Sequence, residues 1–298
     1  MSKIKLLLRP DEFTSFTSWY LEDFWNRYFT IELFDEKKSY DSRAILVALW
    51  ESSNDPQLKE LQQQGLKVAI DNTWEYPTNG TDFYWIECRN WFWYNESLWW
   101  RALDQHTITV AHNPTKLAFM PMRSIKPDRK ALKKIMEPFL DQFIWSFSDK
   151  KLPGDVDPSS TLYQRYVNPD WYSSTYFSVV SESKSTNDMP WLTEKSFKPI
   201  AYYHPYMIAG QKGCLQYLQN LGFETFDNMF DESYDLLENY DDRIKLIAQN
   251  VKEFCPAPYT QLTIEKMKHN HNLFFDQKLV ENKIIQEIVN PLLEYAET

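Results

Sequence analysis

The chain has 298 residues, of which 43% are hydrophobic and 25% charged, as in an ordinary globular protein large enough for two domains. Its formal net charge of -10 excludes nucleic acid as a general partner, because contacts along a phosphate backbone need clustered Lys and Arg. The three cysteines are widely spaced and form no paired motif, so they predict neither a disulfide framework nor a zinc site.

The apolar segments and the aromatic content indicate where the protein is located and how its core is built. No apolar segment approaches the length of a membrane span, and the apolar run near the N-terminus is too short for a signal peptide. Together with the unpaired cysteines, this favours a cytoplasmic protein without a membrane span. Aromatic residues reach 16% of the chain. Most of these rings are expected in the core, and others can serve as stacking platforms for sugar rings.

The first half of the chain alternates short apolar runs with helical patterns. Pro56 is predicted to open a helix that Gly65 ends. Strands are predicted at Ile4–Leu8, 44–49, 66–70 and 107–111. Strand, helix and strand at this spacing are typical of a parallel sheet.

The second half repeats this alternation after a predicted linker at 113–116. Helices are predicted at 128–139 and 212–220, and the pattern is helical from Asp241 almost to the end, with breaks at Pro256, Pro258 and Pro291. Strands are predicted at 117–120, Phe143–Phe147, 176–181, Tyr206–Ala209 and 224–226. The predicted fold class is α/β, with two Rossmann-like domains whose parallel sheets face a cleft. The first domain takes residues 1–115, and the second takes residues 116–298 with the C-terminal helices.

An acidic and a basic residue stand side by side where a loop feeds a predicted helix, at Glu194 and Lys195. The carboxylate of Glu194 can accept hydrogen bonds from sugar hydroxyls, whereas Lys195 and the helix N-terminus can contact phosphates. The alternative interpretation is a solvated helix start, in which the acidic residue favours the helix dipole.

Other polar residues follow the predicted strands of the second half. Ser181 ends the strand at 176–181 and Glu182 follows it, and ligands bind at the carboxyl ends of the strands in open α/β sheets. Arg123 lies in the loop after the strand at 117–120, and Arg129 lies at the next helix start. The alternative for each of these residues is a solvated loop or surface position.

Two acidic segments have simpler explanations. Residues 231–235 precede a helix, and capping with solvation explains them better than a metal or acid–base cluster. Asp155 and Asp157 formally match an Asp-x-Asp metal motif, but they lie in a loop with Pro and Gly. Because chance supplies on the order of one such pair in a chain this acidic, no metal site is predicted.

Residues 118 to 254 resemble the C-terminal domain of GT-B glycosyltransferases, in particular fucosyltransferase-like enzymes and related phage and bacterial sugar transferases. The resemblance rests on the Arg-containing loop at 120–123, the helix start with Arg129, and the segments 177–182, 192–199, 221–226 and 230–235. The Thr-Glu-Lys sequence at 193–195 is its most specific part. Over the first 115 residues the resemblance is weak.

This resemblance implies roles by position. The C-terminal domain would bind a nucleotide diphosphate sugar, with Glu194 at sugar or ribose hydroxyls and Lys195 at the diphosphate. Arg123 would be a second phosphate partner, since a guanidinium group matches phosphate with two parallel hydrogen bonds. The N-terminal domain would present the acceptor, a glycan or another hydroxyl-bearing molecule. Residues 202–206 depart from the fucosyltransferase pattern, so the donor sugar need not be fucose.

An inverting transfer also needs a general base that takes the proton of the acceptor hydroxyl. The strand at 66–70 runs into an acidic, aromatic loop, which resembles the Glu-containing loop where fucosyltransferases keep their base. Glu75 is the first choice for this base, Asp71 the second and His112 the third. The alternative for each is a strand-end cap or a solvated loop residue.

The sequence therefore predicts a metal-independent glycosyltransferase of hexosyl or fucosyl type, with no cofactor and with a nucleotide diphosphate sugar as co-substrate. A non-catalytic carbohydrate- or protein-binding module that retains a GT-B shell is the alternative. A phosphotransferase acting on sugar phosphates is a third hypothesis. The sequence identifies neither the sugar, the nucleotide base nor the acceptor.

Overall fold

The computed structural model describes residues 3–9, 19–48, 55–71, 83–86, 88–108, 112–148, 150–152, 167–185 and 189–298, and the side chains of residues 19, 20 and 71 are outside the description. The chain divides into two compact units. One comprises Met1–Leu103 with Gln277–Thr298, and the other comprises Asp104–Asp276. Each unit contains one sheet in which every described strand pair is parallel, which confirms the predicted α/β class with two parallel sheets.

The described strands and helices are as follows. The strands are β1 Ile4–Leu8, β2 Phe29–Leu33, β3 Ile45–Ala48, β4 Lys67–Asp71, β5 Tyr84–Ile86, β6 Lys116–Met122, β7 Phe143–Phe147, β8 Thr175–Ser181 and β9 Tyr206–Ala209. The α-helices are α1 Trp19–Trp25, α2 Pro56–Gln63, α3 Trp91–Ala102, α4 Pro127–Met136, α5 Pro169–Ser173, α6 Glu194–Ala201, α7 Cys214–Asn220, α8 Tyr240–Glu253, α9 Gln261–Phe274, α10 Gln277–Ile284 and α11 Asn290–Glu297.

The sheet of the first unit has the strand order β2-β1-β3-β4-β5. Its central strands are continuous apolar runs because both of their faces are covered, as is usual in parallel sheets. Leu7, Leu46 and Val68 come from three adjacent strands and are fully buried in one cluster, which Leu58 of α2 completes. Helix α2 begins at Pro56, as predicted, and the structure adds Asp55 as its N-cap.

The last helices of the chain belong to this first unit rather than to the domain at 116–298 in which the sequence analysis placed them. Tyr84 of β5 stacks on Tyr295 of α11, with ring centroids 4.2 Å apart. Tyr94 Oη of α3 donates a hydrogen bond of 2.7 Å to Glu287 Oε2, and Leu292 is fully buried. These contacts bury the apolar face of the C-terminal helices against the first unit, and the unit boundary falls after Leu103 instead of residue 115.

The sheet of the second unit has the strand order β7-β6-β8-β9. Helix α6 packs against α9, and α4 packs against α8. Phe177 of β8 lies in the core with Phe230 and Phe254, at ring-centroid distances of 5.1 and 5.0 Å. Strands β6, β8 and β9 run parallel to one another, so their carboxyl ends lie at one edge of the sheet.

The structure corrects three predicted elements. Residues 224–226 form no strand, because side chains of α9 take up their backbone groups: Glu224 N donates to Asn270 Oδ1 and Asn270 Nδ2 donates to Glu224 O. Thr107 ends a 3₁₀ turn at Gln105–Thr107 instead of starting a strand, and 109–111 lie outside the described residues. Pro291 does not break the helix, since a π-helical turn at Ile285–Val289 precedes it.

Candidate functional site

The carboxyl ends of β6, β8 and β9 bring the predicted donor-binding residues to one edge of the second sheet. Arg123 follows β6 directly, Ser181 ends β8, and Glu182 follows it. Ser181 pairs in register with Ala209, the last residue of β9. Parallel strands end together, so this edge collects side chains that are distant in sequence. Within the part of the chain that the structure describes, it is where Glu194 and Lys195 also lie.

Glu182 occupies the space between β8 and the start of α6. Its side chain is 1% exposed, and both carboxylate oxygens accept hydrogen bonds. Thr193 N donates to Oε1 at 3.0 Å, and Thr193 Oγ1 donates to Oε2 at 2.7 Å. Ser196 Oγ and Ser183 N donate the other two bonds, at 2.5 and 3.0 Å. Glu182 therefore holds the loop after β8 against the first turn of α6.

Helix α6 begins where the sequence predicted. Thr193 is its N-cap, has extended backbone angles, and accepts a hydrogen bond of 3.5 Å from Lys195 N. Lys195 Nζ donates to Glu194 Oε1 at 2.6 Å, to Thr193 Oγ1 at 3.1 Å and to Ser183 Oγ at 3.2 Å. The predicted acid–base pair is thus an ion pair at the helix start, and it is joined to the loop after β8.

The charge state of Glu194 is set by its neighbours. Burial alone would raise the pKa of Glu194, but the positive charges of Lys195 and Lys198 and the hydrogen bond from Lys195 outweigh it, and they hold the pKa below its ordinary value. The Glu194 side chain remains 17% exposed and that of Lys195 27% exposed. The Glu194 carboxylate is therefore ionised at neutral pH, and both side chains keep part of their surface accessible to a ligand.

Arg129 is a buried cation in the first turn of α4. Only 4% of the residue is exposed, and its NH1 group donates to Ser124 O at 3.5 Å and to Ser124 Oγ. Its Nε atom is buried and has no hydrogen-bond partner among the described residues, none of which places a carboxylate within ion-pair distance of it. A buried guanidinium with these partners alone is under-compensated, since burying a charge is costly unless it is paired.

A further cation, Lys126, reaches this edge and was not identified from the sequence. Lys126 Nζ donates a hydrogen bond of 2.9 Å to Ser183 O, the same residue whose hydroxyl accepts from Lys195. Arg123, half-buried, precedes this segment at the end of β6. The only signal in the sequence is that Lys126 lies between the two predicted arginines, in a loop that leads to a helix start.

Buried polar groups without partners mark the same edge. Ser181 is 2% exposed and Gln211, two residues after β9, is 1% exposed. The Ser181 Oγ atom and both amide atoms of Gln211 have no hydrogen-bond partner among the described residues. Because buried polar side-chain atoms are normally hydrogen-bonded, each such group needs an explanation. The sequence analysis did not single out Gln211.

Arg243 of α8 connects the two loops at this edge through hydrogen bonds to backbone carbonyls. Its guanidinium donates to Gly210 O at 3.1 Å and to Ser185 O at 2.6 Å, and also to the carbonyls of Leu237 and Glu238. These four bonds tie the segments after β8 and β9 to the start of α8. Arg243 therefore has a structural role, because its guanidinium group donates its hydrogen bonds to backbone carbonyls.

A cavity of about 490 Å³ lies beside these loops, between the segment after β8 and helix α7. Its volume is within the range of small-molecule sites, about 300 to 1,000 Å³. The lining is mixed, and its polar side chains include Ser185, Lys212, Gln216 and Glu238. The cavity shares the loop after β8 with the candidate site through Ser185, but Arg123, Lys126, Arg129 and Lys195 are not among its lining residues.

The acidic segment at 231–235 has the structural role that the sequence analysis favoured. Asp231 Oδ1 accepts a hydrogen bond of 2.9 Å from Ser233 N and caps a 3₁₀ turn. Asp235 Oδ2 accepts from Leu215 N and Gln216 N, at 3.1 and 3.2 Å, and so caps helix α7. Within the described ranges, no three His, Cys, Asp or Glu side chains are grouped closely enough to hold a metal ion.

Of the three predicted general bases, only His112 has its side chain among the described residues. Glu75 lies outside them, as do Asp155 and Asp157, and Asp71 is described only as the last backbone position of β4. His112 lies at the opposite end of the second sheet, stacked at 5.9 Å on His204. His204 Nε2 is hydrogen-bonded to Thr175, the first residue of β8. Thr175 and Glu182 therefore lie at opposite ends of this strand. His112 is therefore not one of the residues at the carboxyl ends of β6, β8 and β9.

Comparison with known proteins gives likenesses of structure only. No family model matches the chain, and no curated protein matches it significantly. A solved structure of α1,3-fucosyltransferase matches with a TM-score of 0.47 and 12% identity, over 98% of this chain and 90% of that one. Structures of α1,3-fucosyltransferase with GDP and with GDP-fucose match with TM-scores of 0.46 and 0.44, at 11% and 10% identity. They cover 98% and 97% of this chain, and each comparison covers 90% of the other chain.

These structures belong to the family that the sequence was predicted to resemble. At such identities the likeness concerns the fold. In the part of the chain that the structure describes, no helix is both long and apolar enough to cross a membrane.

Proposed function

We propose that the chain is a glycosyltransferase that binds a nucleotide diphosphate sugar at the carboxyl edge of its second sheet. The observation that carries this proposal is Arg129, a cation that is 4% exposed and whose Nε atom has no partner among the described residues. An anion with several oxygens would supply the missing partners, and a guanidinium group binds phosphate with two parallel hydrogen bonds.

Three further features favour a diphosphate over a single carboxylate. Lys195 and Lys126 both reach Ser183, from the start of α6 and from the loop before α4. Arg123 stands at the end of β6, so cations approach from one strand end and two helix starts. Since a diphosphate carries more than one negative charge, several converging cations suit it. No metal ion or cofactor is part of this proposal.

Glu194 is proposed to bind the sugar or the ribose. Its carboxylate is ionised, lies beside Lys195, and keeps part of its surface accessible. An ionised carboxylate accepts strong hydrogen bonds from hydroxyl groups, which a sugar presents in pairs. Ser181 and the Gln211 amide are buried groups that would hydrogen-bond to the donor or to water bound with it.

In the proposed reaction the acceptor hydroxyl oxygen bonds to the anomeric carbon while the bond from that carbon to the diphosphate breaks. The hydroxyl proton passes to a general base, and the electron pair of the broken bond leaves with the diphosphate. Arg129, Lys195 and Arg123 would stabilise the negative charge that develops on the leaving group. Glu75 and then Asp71 stay the predicted bases, in an inverting transfer.

A donor-hydrolysis assay across UDP-, GDP-, ADP- and CMP-linked sugars tests this function. Release of a nucleoside diphosphate from at least one donor, and its loss in Lys195→Met, is the expected result. Lys130→Met is the matched control, because it removes an exposed cation of the same unit. Binding of a donor without any release of nucleotide would favour the non-catalytic module, whereas a product that retains a phosphate would indicate a phosphotransferase.

A further inference from the structure

The Glu182 carboxylate has no hydrogen-bonding capacity directed at a ligand. It is 1% exposed, and its two oxygens accept four hydrogen bonds, two from Thr193 and one each from Ser183 and Ser196. These distances run from 2.5 to 3.0 Å. A donor molecule would have to displace a buried bond to contact Glu182. Direct binding of the donor therefore does not explain why Glu182 follows the end of β8.

Glu182 determines the direction of the Thr193 hydroxyl. A hydroxyl group has one hydrogen to donate, and Thr193 Oγ1 donates it to Glu182 Oε2 across 2.7 Å. The lone pairs of the same oxygen then point away from Glu182. One of them accepts from Lys195 Nζ at 3.1 Å. The buried carboxylate thus orients the acceptor that anchors Lys195.

Lys195 uses all three of its ammonium hydrogens within the described part of the chain. The partners of Nζ are Glu194 Oε1 at 2.6 Å, Thr193 Oγ1 at 3.1 Å and Ser183 Oγ at 3.2 Å. Two of these three partners, Thr193 and Ser183, are themselves bonded to Glu182. The ammonium group therefore has one position, defined by the Glu182 network.

We infer that Glu182 is a positioning residue that acts through Thr193 to hold the Lys195 ammonium where the diphosphate binds. The inference rests on the proposed function and assigns Glu182 a different role from the donor contact predicted from the sequence. A phosphate oxygen would replace Ser183 Oγ, the longest of the three contacts of Nζ. Thr193 then keeps its bond to the ammonium group throughout binding.

The Thr193 hydroxyl can be removed with little change of shape. Thr193→Val removes the hydroxyl group that connects Glu182 to Lys195. Thr193→Ser keeps this hydroxyl group and should therefore keep the connection. Thr175→Val is the matched control, since Thr175 is another fully buried threonine of this unit whose hydroxyl donates a 2.7 Å hydrogen bond, to Trp171 O. All three variants are compared with the wild type and with Lys195→Met, as full-length chains.

Calorimetry with a nucleoside diphosphate and with the corresponding nucleoside separates positioning from general damage. We expect Thr193→Val to weaken diphosphate binding about tenfold, as expected for the loss of one hydrogen bond to a charged group, with nucleoside affinity changed less than about twofold. Thr193→Ser and Thr175→Val should bind both ligands like the wild type. Equal losses for both ligands, or an unaffected diphosphate affinity in Thr193→Val, would overturn the inference.

A measurement without ligand keeps the two proposals apart. In protein labelled at lysine Cε with ¹³C, the Lys195 resonance is assigned by its absence in Lys195→Arg. We expect it to shift in Thr193→Val and in Glu182→Gln, and to stay unchanged in Thr175→Val. An unmoved resonance contradicts the positioning role. If the wild type binds no nucleotide while the resonance shifts, the proposed function fails and the positioning of Lys195 stands.

Discussion

Arg129 gives the candidate site its chemical character at the scale of a single residue. A guanidinium that is 4% exposed and bonded only to Ser124 is unfavourable for the free chain, because a buried charge loses its hydration. Residues that serve a ligand often carry such a cost in stability. Because of this cost in stability, the role of Arg129 can be tested before the ligand is known.

Replacing Arg129 by methionine should stabilise the ligand-free protein. The apolar side chain fills a similar volume and removes the under-compensated charge, and Ser124 is exposed, so water can take over its hydrogen bonds. We expect a gain of roughly 1 to 2 kcal/mol in the free energy of unfolding, measured by urea denaturation.

The control for Arg129→Met is Lys130→Met, which changes the next residue of the same helix at an exposed position. This variant should alter stability by less than about 0.5 kcal/mol. If Arg129→Met is clearly less stable than the wild type, the guanidinium is a structural group, and the observation that carries the proposed function is lost.

Glu232 has a carboxyl group with one buried oxygen that lacks a partner among the described residues. Its Oε2 atom accepts a 2.8 Å hydrogen bond from Thr225 Oγ1, while Oε1 is buried without a partner among the described residues. Burial raises the pKa of Glu232 to about 7, although the bond from Thr225 lowers it. The folded state therefore binds a proton more tightly than the unfolded chain. Its contribution to stability is fully present below the unfolded pKa and is lost as the pH rises through about 7.

Glu232→Gln should remove this loss, because the neutral amide keeps the acceptor for Thr225 and carries no charge. We expect the variant to be more stable than the wild type at pH 8 by roughly 1 to 3 kcal/mol and nearly equal to it at pH 5. Thermal melts at the two pH values measure this difference, with Glu137→Gln at an exposed position as the control. A gain that is the same at both pH values would contradict the assigned cause.

At the scale of elements, apolar patterning predicted the strands that are apolar runs better than the strand β2, which has exposed polar residues. Strands β1, β7 and β9 begin and end at the predicted residues. Strand β2 was missed because it carries exposed polar residues such as Thr30 and therefore lacks an apolar run. The segment 224–226 has strand-like residues, but its hydrogen bonds go to a helix side chain that no local pattern identifies.

Asn270 of α9 tests this account of residues 224–226. Its buried amide donates to Glu224 O and accepts from Glu224 N, at 2.8 and 2.7 Å. Asn270→Ala removes both bonds, so we expect a loss of about 1 to 3 kcal/mol in the free energy of unfolding. Lys268→Ala, at an exposed position of the same helix, should have little effect. A harmless Asn270→Ala would mean that the segment is held by other contacts.

The candidate site was predictable in part, for a physical reason. Ser181, Glu182, Glu194 and Lys195 adjoin recognisable strand ends and a helix start, and parallel strands bring such ends together. The sequence gives no direction to a side chain, so it did not show that Glu182 faces α6 instead of a ligand. Long-range contacts such as that of Lys126 with Ser183 depend on tertiary packing and were missed for that reason.

At the scale of the whole molecule, the C-terminal helices could not be assigned to a unit from their periodicity. An amphipathic pattern predicts that a helix buries one face, but it does not identify the sheet that covers this face. The structure assigns residues 277–298 to the first unit through Leu292 and Tyr295. The fold of that unit therefore depends on both ends of the chain.

Leu292→Ala tests this dependence in the full-length protein. The side chain is fully buried in the first unit, so its truncation should cost about 2 to 5 kcal/mol in that unit. Amide hydrogen exchange should increase in β1, β3 and β4 and remain unchanged in β6 and β8. Increased exchange in β6 and β8 with none in β1 would assign the C-terminal helices to the second unit instead.

The net charge of the chain is -10, yet cations from several elements meet at one edge of the second sheet. The most direct test of the account is calorimetry of the wild type, Arg129→Met and Lys130→Met with GDP, UDP, ADP and CMP. The account predicts that the wild type and Lys130→Met bind at least one nucleoside diphosphate, and that Arg129→Met binds it at least about tenfold more weakly. Absence of binding to all four nucleotides, or equal binding by Arg129→Met, would contradict it.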